Sequence, residues 1–351
     1  MSKPSVAAKL FLFAALACAR IGHVFAVDAG TLLVLNKSDD TVSLLDPVSK
    51  ESMATLPTGA GPHEVAVSPD GRIAVISNYG PTGDGNTLSV IDVAARKVLK
   101  TIDLGKHRGP HGIAWLRGNQ VAVTTEGSRS LLIVDIETAR IVGIVATQQN
   151  VSHMVALAPK HDRAFVANIG SGSVSVIDLE SNRRIANIPT GAGAEGIDVS
   201  PDQSEVWVVN RAVDTISVID TTSLKVVATL PSKAFPIRVK FTPDGKYALV
   251  SNARSGDVAV FDAKARREIR RIAMQVRTRE PQTGAQRMSD RIAAGPAPVG
   301  ILIVPALNRA YVANTNADVV SVIDLGTWQV VDRLTAGNEP DGLGYSPIPA
   351  R

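Results

Sequence analysis

The chain has 351 residues, with 37 Lys and Arg against 33 Asp and Glu, one Cys, and an aromatic content of 4%. Most of the net charge of +4 belongs to the N-terminus: Lys3, Lys9 and Arg20 stand there without an acid before residue 27, and setting them aside leaves +1. The global charge therefore offers no footprint for a polyanion, and so few aromatics leave little to stack bases on, so nucleic-acid binding is not expected.

Residues 1–26 read as a signal peptide. Lys3 and Lys9 are basic, Leu10 to Ala19 form a short apolar run, and Val24-Phe25-Ala26 offers a cleavage site. That run is too short to cross a bilayer, and later apolar stretches are interrupted every few residues, so no transmembrane segment is expected after signal removal. The expected location is periplasmic or secreted. Cys18 lies inside the leader, where Leu16-Ala17-Cys18 is similar to part of a lipobox, so lipidation at Cys18 is the alternative to cleavage after Ala26. A chain cut after Ala26 has no thiol, which argues against disulfides and against covalent haem.

From residue 27 onward one pattern repeats. A V-S-V-I-D-like run ends at Asp46, Asp92, Asp135, Asp178, Asp220, Asp262 and Asp324. The period is about 42–46 residues, with one longer step before the last copy, and such a period signals a stacked or circular repeat architecture. A second run precedes each copy and ends at Asn36, Asn78, Glu126, Asn168, Asn210, Asn252 and Asn314, with Glu126 as the departure from asparagine. Each unit holds four short β-rich runs separated by turn residues, which is one propeller blade. The chain opens on a second strand (32–36) and closes on an isolated first strand (341–347). The C-terminal strand should therefore complete the N-terminal blade and cover its open edge.

The prediction is an all-β, seven-bladed β-propeller of four-stranded antiparallel blades, one domain over 27–351. The longer step makes an inserted basic loop at about 274–294, with Arg266, Arg267, Arg270, Arg271, Arg277, Arg279, Arg287 and Arg291 in it or on its approach. The runs YVAN, SVID and SPDG resemble the YVTN-repeat propeller family, of the exported bacterial type, over nearly the whole of residues 27–351. That resemblance implies the fold. Propellers of this architecture include sugar lactonases, subunits of quinoprotein dehydrogenases, surface-layer proteins and nucleic-acid binders, so function has to be argued from a site.

One position in each first strand, usually just after a proline, should face the channel mouth. In chain order it holds His63, His111, His153, Glu195, Ile237, Val299 and Asp341. Ring closure places Asp341, His63, His111, His153 and Glu195 side by side, opposite an apolar wall of Ile237 and Val299. Imidazoles with carboxylates form a common ligand set for zinc, copper or iron, so these five residues are a candidate divalent-metal site. A metal-free polar binding site, or a Pro-His packing motif copied by duplication, accounts for the same residues. Loops after the second strands should bring Tyr79, Glu126, Arg129, Arg211 and Arg254, with Lys37, to the same face as candidate ligand-binding residues. No phosphate loop, dinucleotide fingerprint, HExxH or GxSxG occurs, so a nucleotide cofactor is not expected.

Three functions fit this pattern. The first is a periplasmic binding or accessory protein engaging a small ligand, a metal or a redox-enzyme partner at the channel mouth. The second is a metal-assisted hydrolase such as a lactonase, with one of His63, His111 or His153 polarising or activating water and Glu195 or Asp341 as the base, His111 and Glu195 being the leading candidates. The third is a purely structural interaction module.

Overall fold

Every repeat forms one antiparallel four-stranded sheet, and seven such sheets stand in a ring. The computed structural model describes residues 29–278 and 293–349. The segment expected to be a leader, with Cys18, and most of the loop expected at about 274–294 lie outside the described residues. In the first blade the strands run, from the channel outward, Pro340–Ser346, Thr31–Asn36, Thr41–Leu45 and Ser52–Pro57. The C-terminal strand pairs antiparallel with Thr31–Asn36, as the offset of the chain ends required.

Burial follows strand position. The second and third strands, such as Arg163–Asn168 and Ser173–Asp178, are buried on both faces because each sheet is packed between two others. Outermost strands such as Arg183–Pro189 alternate exposed and part-buried residues, the pattern of a strand with one face on the core. The core is the set of seams between blades. At one of them Val75, Leu88 and Val90 of the second blade meet Val121, Val123 and Leu132 of the third.

The asparagine that ends the second strand is structural. Asn36 Nδ2 donates to Thr41 Oγ1 at 3.0 Å and Ser43 Oγ at 2.9 Å, tying the turn between strands two and three. Asn78 and Asn210 repeat this with Thr87 and Ser89, and with Thr215 and Ser217. The strand register corrects one alignment made from sequence. Thr125, paired with Ser130, occupies the asparagine position of the third blade, and Glu126 is the next residue along.

The innermost strands are Pro340–Ser346, Pro62–Val67, Pro110–Arg117, Ser152–Ala158, Ala194–Val199, Pro236–Phe241 and Pro298–Val304. Each touches the next and the last touches the first, closing the ring. Close approach here needs glycine. A Cβ on Gly112 would fall 2.6 Å from the backbone oxygen of His153, and one on Gly342 would fall 2.3 Å from that of His63. Hydroxyls fasten the same strands: Ser77 Oγ donates to the His111 carbonyl at 2.6 Å, and Thr124 Oγ1 to the His153 carbonyl at 2.5 Å.

Candidate functional site at the channel mouth

All seven ring positions line one cavity of about 290 Å³. Each is the second residue of its innermost strand, a register that repeats because every blade starts that strand at the same level. A second tier is set by the residue after the asparagine position: Lys37, Tyr79, Glu126, Ile169, Arg211, Ala253 and Thr315. In every blade the backbone N–H of this residue donates to the carbonyl two residues before the ring position, as from Tyr79 to Gly61 and from Arg211 to Gly193. The second tier thus projects over the first, and all of it except Ala253 lines the cavity.

The three histidines form a column. His63 and His111 have ring centroids 4.9 Å apart, and His111 and His153 lie 3.6 Å apart with a tilt of 32°. Tyr79 packs against His63 at 4.6 Å. His63 Nδ1 donates to the Gly61 carbonyl at 2.8 Å, so its Nε2 carries the lone pair. Burial, aided by the nearby Lys37 charge, pulls its pKa down to about 4. His111 is buried with Nδ1 unpartnered, and burial beside His153 and His63 holds it well below the ordinary imidazole range. These two rings are neutral at neutral pH.

His153 is different. Its Nδ1 donates to Glu126 Oε1 at 2.5 Å, and its Nε2 lies 3.3 Å from Glu195 Oε1. Burial alone would lower its pKa, but the two carboxylates outweigh burial and raise it. Tyr79 Oη donates to the other oxygen of Glu126 at 2.6 Å. Glu195 is met by Arg211 Nη1 at 2.5 Å and Arg238 Nη1 at 3.3 Å. Burial opposes its ionisation, yet Arg211 and His153 bring its pKa down to about 2. Asp341 is paired with Lys37 Nζ at 3.3 Å, which with His63 and Arg238 outweighs burial and lowers its pKa.

The structure therefore brings together His63, His111, His153, Glu195, Asp341, Tyr79, Glu126 and Arg211. Among these, His111, Glu126 and His153 place one nitrogen or oxygen each within 4.8 Å of one another. Arg129 is exposed and outside the cavity lining, and Arg254 is exposed with its guanidinium 4.1 Å over the Phe235 ring. Sequence reasoning missed Arg238, whose Nη2 donates to Glu64 Oε1 at 2.7 Å. It also missed Val151, Ile169 and Thr315. Ile169 and Thr315 were legible as the residues following Asn168 and Asn314. Arg238 and Glu64 each follow a ring residue, at a place where other blades carry Gly112, Gly196, Gly300 and Gly342.

Comparison with known proteins gives one partial family match and several structural likenesses. Residues 118–284, somewhat under half of the chain, match the family model of the cytochrome D1 heme domain. No curated protein matches. Among solved structures, hydrazine synthase of Kuenenia stuttgartiensis is similar at 20% identity, over 80% of this chain and 88% of that one, with a TM-score of 0.67. A functionally unknown protein from Desulfotomaculum acetoxidans is similar at 12% identity, over 90% and 99%, with a TM-score of 0.73. The dihydro-heme d1 dehydrogenase NirN in complex with DHE is similar at 19% identity, over 90% and 75%, with a TM-score of 0.62. At these identities the structures establish the propeller fold. The cofactor expectation drawn from sequence, a zinc, copper or iron ion with covalent haem set aside, is corrected: the matched family model and NirN both carry haem d1 in their names, so the likeness points to haem-related binding.

Proposed function

We propose that this protein is an exported binding propeller that receives a haem-related tetrapyrrole at its channel mouth, as an accessory to redox chemistry. The observation that carries the reading is His111. It is a buried, neutral imidazole with an unpartnered Nδ1, stacked between His63 and His153 in the one place where the seven innermost strands converge. The segment matched to the cytochrome D1 heme domain, residues 118–284, also contains Glu126, His153, Glu195, Arg211 and Arg238 of this site. The leader at 1–26 supports export.

The donor set suits such a group. An uncharged imidazole can face the macrocycle, Lys37 and Arg211 can meet its carboxylates, and Ile237 and Val299 offer an apolar surface. The cavity of about 290 Å³ is at the lower end of small-ligand pockets, roughly 300–1,000 Å³. The described residues thus suit one part of a tetrapyrrole, not the whole of it. When bound, a haem-type group supplies one-electron chemistry. The chain's own part is to hold the ligand, keep His111 uncharged, and fix His153 through Glu126 and Glu195.

The test is a titration of the purified full chain with haem and with a metal-free porphyrin, followed by Soret absorbance. Saturable one-to-one binding, weakened about tenfold or more in His111→Ala, is the expected result. Absence of any saturable spectral change, in a protein with a native circular dichroism spectrum, would overturn the reading.

A further inference from the structure

Charge is distributed unevenly among the blades. Residues 236–278, the sixth blade and the few residues after it, hold ten Lys and Arg against four Asp and Glu, although residues 27–351 as a whole carry a surplus of only one. The excess collects on the outermost strand, Arg267–Ala273, and on the turn before it, which carries Lys264 and Arg266. The five other seven-residue outermost strands half-bury their second and fourth residues, as the fifth blade does with Val226 and Ala228. In the sixth blade those places hold Glu268 and Arg270, and both are exposed. The blade gives up apolar contact there in favour of charge, so packing is not what these side chains serve.

Part of the charge is neutralised locally. Arg266 pairs with Glu205, and Arg271 with Asp257 and Glu268. Lys264, Arg267 and Arg270 are exposed and make no ion pair among the described residues. Protection of a free sheet edge does not account for them, because the bulge opposite Val260 and Phe261 already interrupts this edge, as an equivalent bulge does in the fifth and seventh blades.

We propose that the outer edge of the sixth blade is a docking surface for a protein partner that presents clustered carboxylates. The planar fork of arginine meets carboxylates bidentately, and cations held on a strand and its turn attract an acidic surface before contact. The strand favours a polypeptide over other polyanions. Ile269 is its single exposed large apolar side chain, too little to insert into a lipid interface, and it has no aromatic ring on which a base could stack. Two strands separate this edge from the innermost strand of the blade, so docking here does not depend on a ligand at the channel mouth.

The experiment titrates the full chain into a fluorescently labelled poly-glutamate peptide, read by anisotropy at low and at physiological salt. Vesicles of phosphatidylglycerol and phosphatidylcholine are tested in parallel by sedimentation. The peptide should bind saturably and more weakly at the higher salt. Arg267→Gln combined with Arg270→Gln should weaken it about fivefold or more, on the scale of two exposed ion pairs. Arg183→Gln combined with Lys225→Gln, which removes two exposed cations from the outermost strands of other blades, should leave it unchanged. Lys264→Gln, in the turn, is a second probe of the same surface and should weaken binding by a smaller factor. No peptide binding, or equal losses in the two double variants, would overturn the proposal. Vesicle binding as strong as peptide binding would overturn an acidic protein as the occupant.

Discussion

Arg238 reaches from the sixth blade to the second, where its Nη2 meets Glu64 Oε1 at 2.7 Å, so one ion pair links blades that are not neighbours in the ring. The guanidinium is buried and also touches Glu195, and its carboxylate neighbours hold its pKa above the usual arginine value against the opposing effect of burial. Removing one partner of such a pair leaves the other charge buried without compensation. Arg238→Met should therefore destabilise the protein by about 3–5 kcal/mol, measured as a lowered urea midpoint. Adding Glu64→Gln to it should return part of that loss. A single variant as stable as the wild type would show that the pair is not a structural tie.

Gly112 sets how closely His153 approaches His111. The atom nearest an added Cβ is backbone oxygen, at 2.6 Å, which has no flexible end to move aside. Gly112→Ala should cost about 1–3 kcal/mol through overpacking and should also weaken ligand binding by displacing His153. Gly295→Ala, where nothing lies within 4 Å of the added atom, is the matched control and should change neither melting temperature nor affinity.

Stability should fall on both sides of neutrality, for different residues. Burial lowers the pKa of His63 to about 4 and holds that of His111 well below the ordinary imidazole value, so below pH 6.5 the unfolded chain takes up protons that the folded chain refuses. The melting temperature should drop as pH falls from 6.5 towards 4, and His63→Gln should flatten that slope. His153 works the other way. Its folded pKa is raised, so its contribution is complete below pH 6.5 and is lost as pH rises through the folded value. Glu195, lowered to about 2, keeps its contribution above pH 4.5 and loses it as pH falls towards 2. Calorimetry across this range, with Glu126→Gln to remove the alkaline limb, would separate these contributions.

Asn210 and Glu126 sit at adjacent levels of their blades and should answer differently to substitution. Asn210 donates to Thr215 and Ser217 inside the blade, so Asn210→Ala should lower stability by about 1–3 kcal/mol and leave ligand affinity unchanged. Glu126 bonds Tyr79 and His153 across three blades. Glu126→Gln should shift the pH dependence of binding more than it shifts stability. Paired denaturation and binding measurements would expose a reversal of that order.

The ring itself was legible because a propeller repeats its register. Once the V-S-V-I-D runs were aligned, the residue after Pro62 had to face the same way as the residues after Pro110 and Pro340, and all three line the cavity. The second tier was half legible: Lys37, Tyr79 and Arg211 follow the asparagine visibly, whereas Ile169 and Thr315 offer no charge to attract notice. Glu126 was found for the wrong reason, since Thr125 takes the asparagine place without resembling it. Arg238 and Glu64 could not be paired from sequence. They are 174 residues apart, and nothing local encodes which side chain an arginine will meet across a channel.

The strand Pro340–Ser346 carries Asp341, and Lys37 comes from the opposite end of the chain in the same blade. The site therefore depends on two segments far apart in sequence. While residues 340–346 are still unfolded, the column of histidines lacks one wall and Lys37 lacks its counter-ion, whatever has folded upstream. The channel mouth is in this way complete only when a strand made more than 300 residues later has paired with Thr31–Asn36.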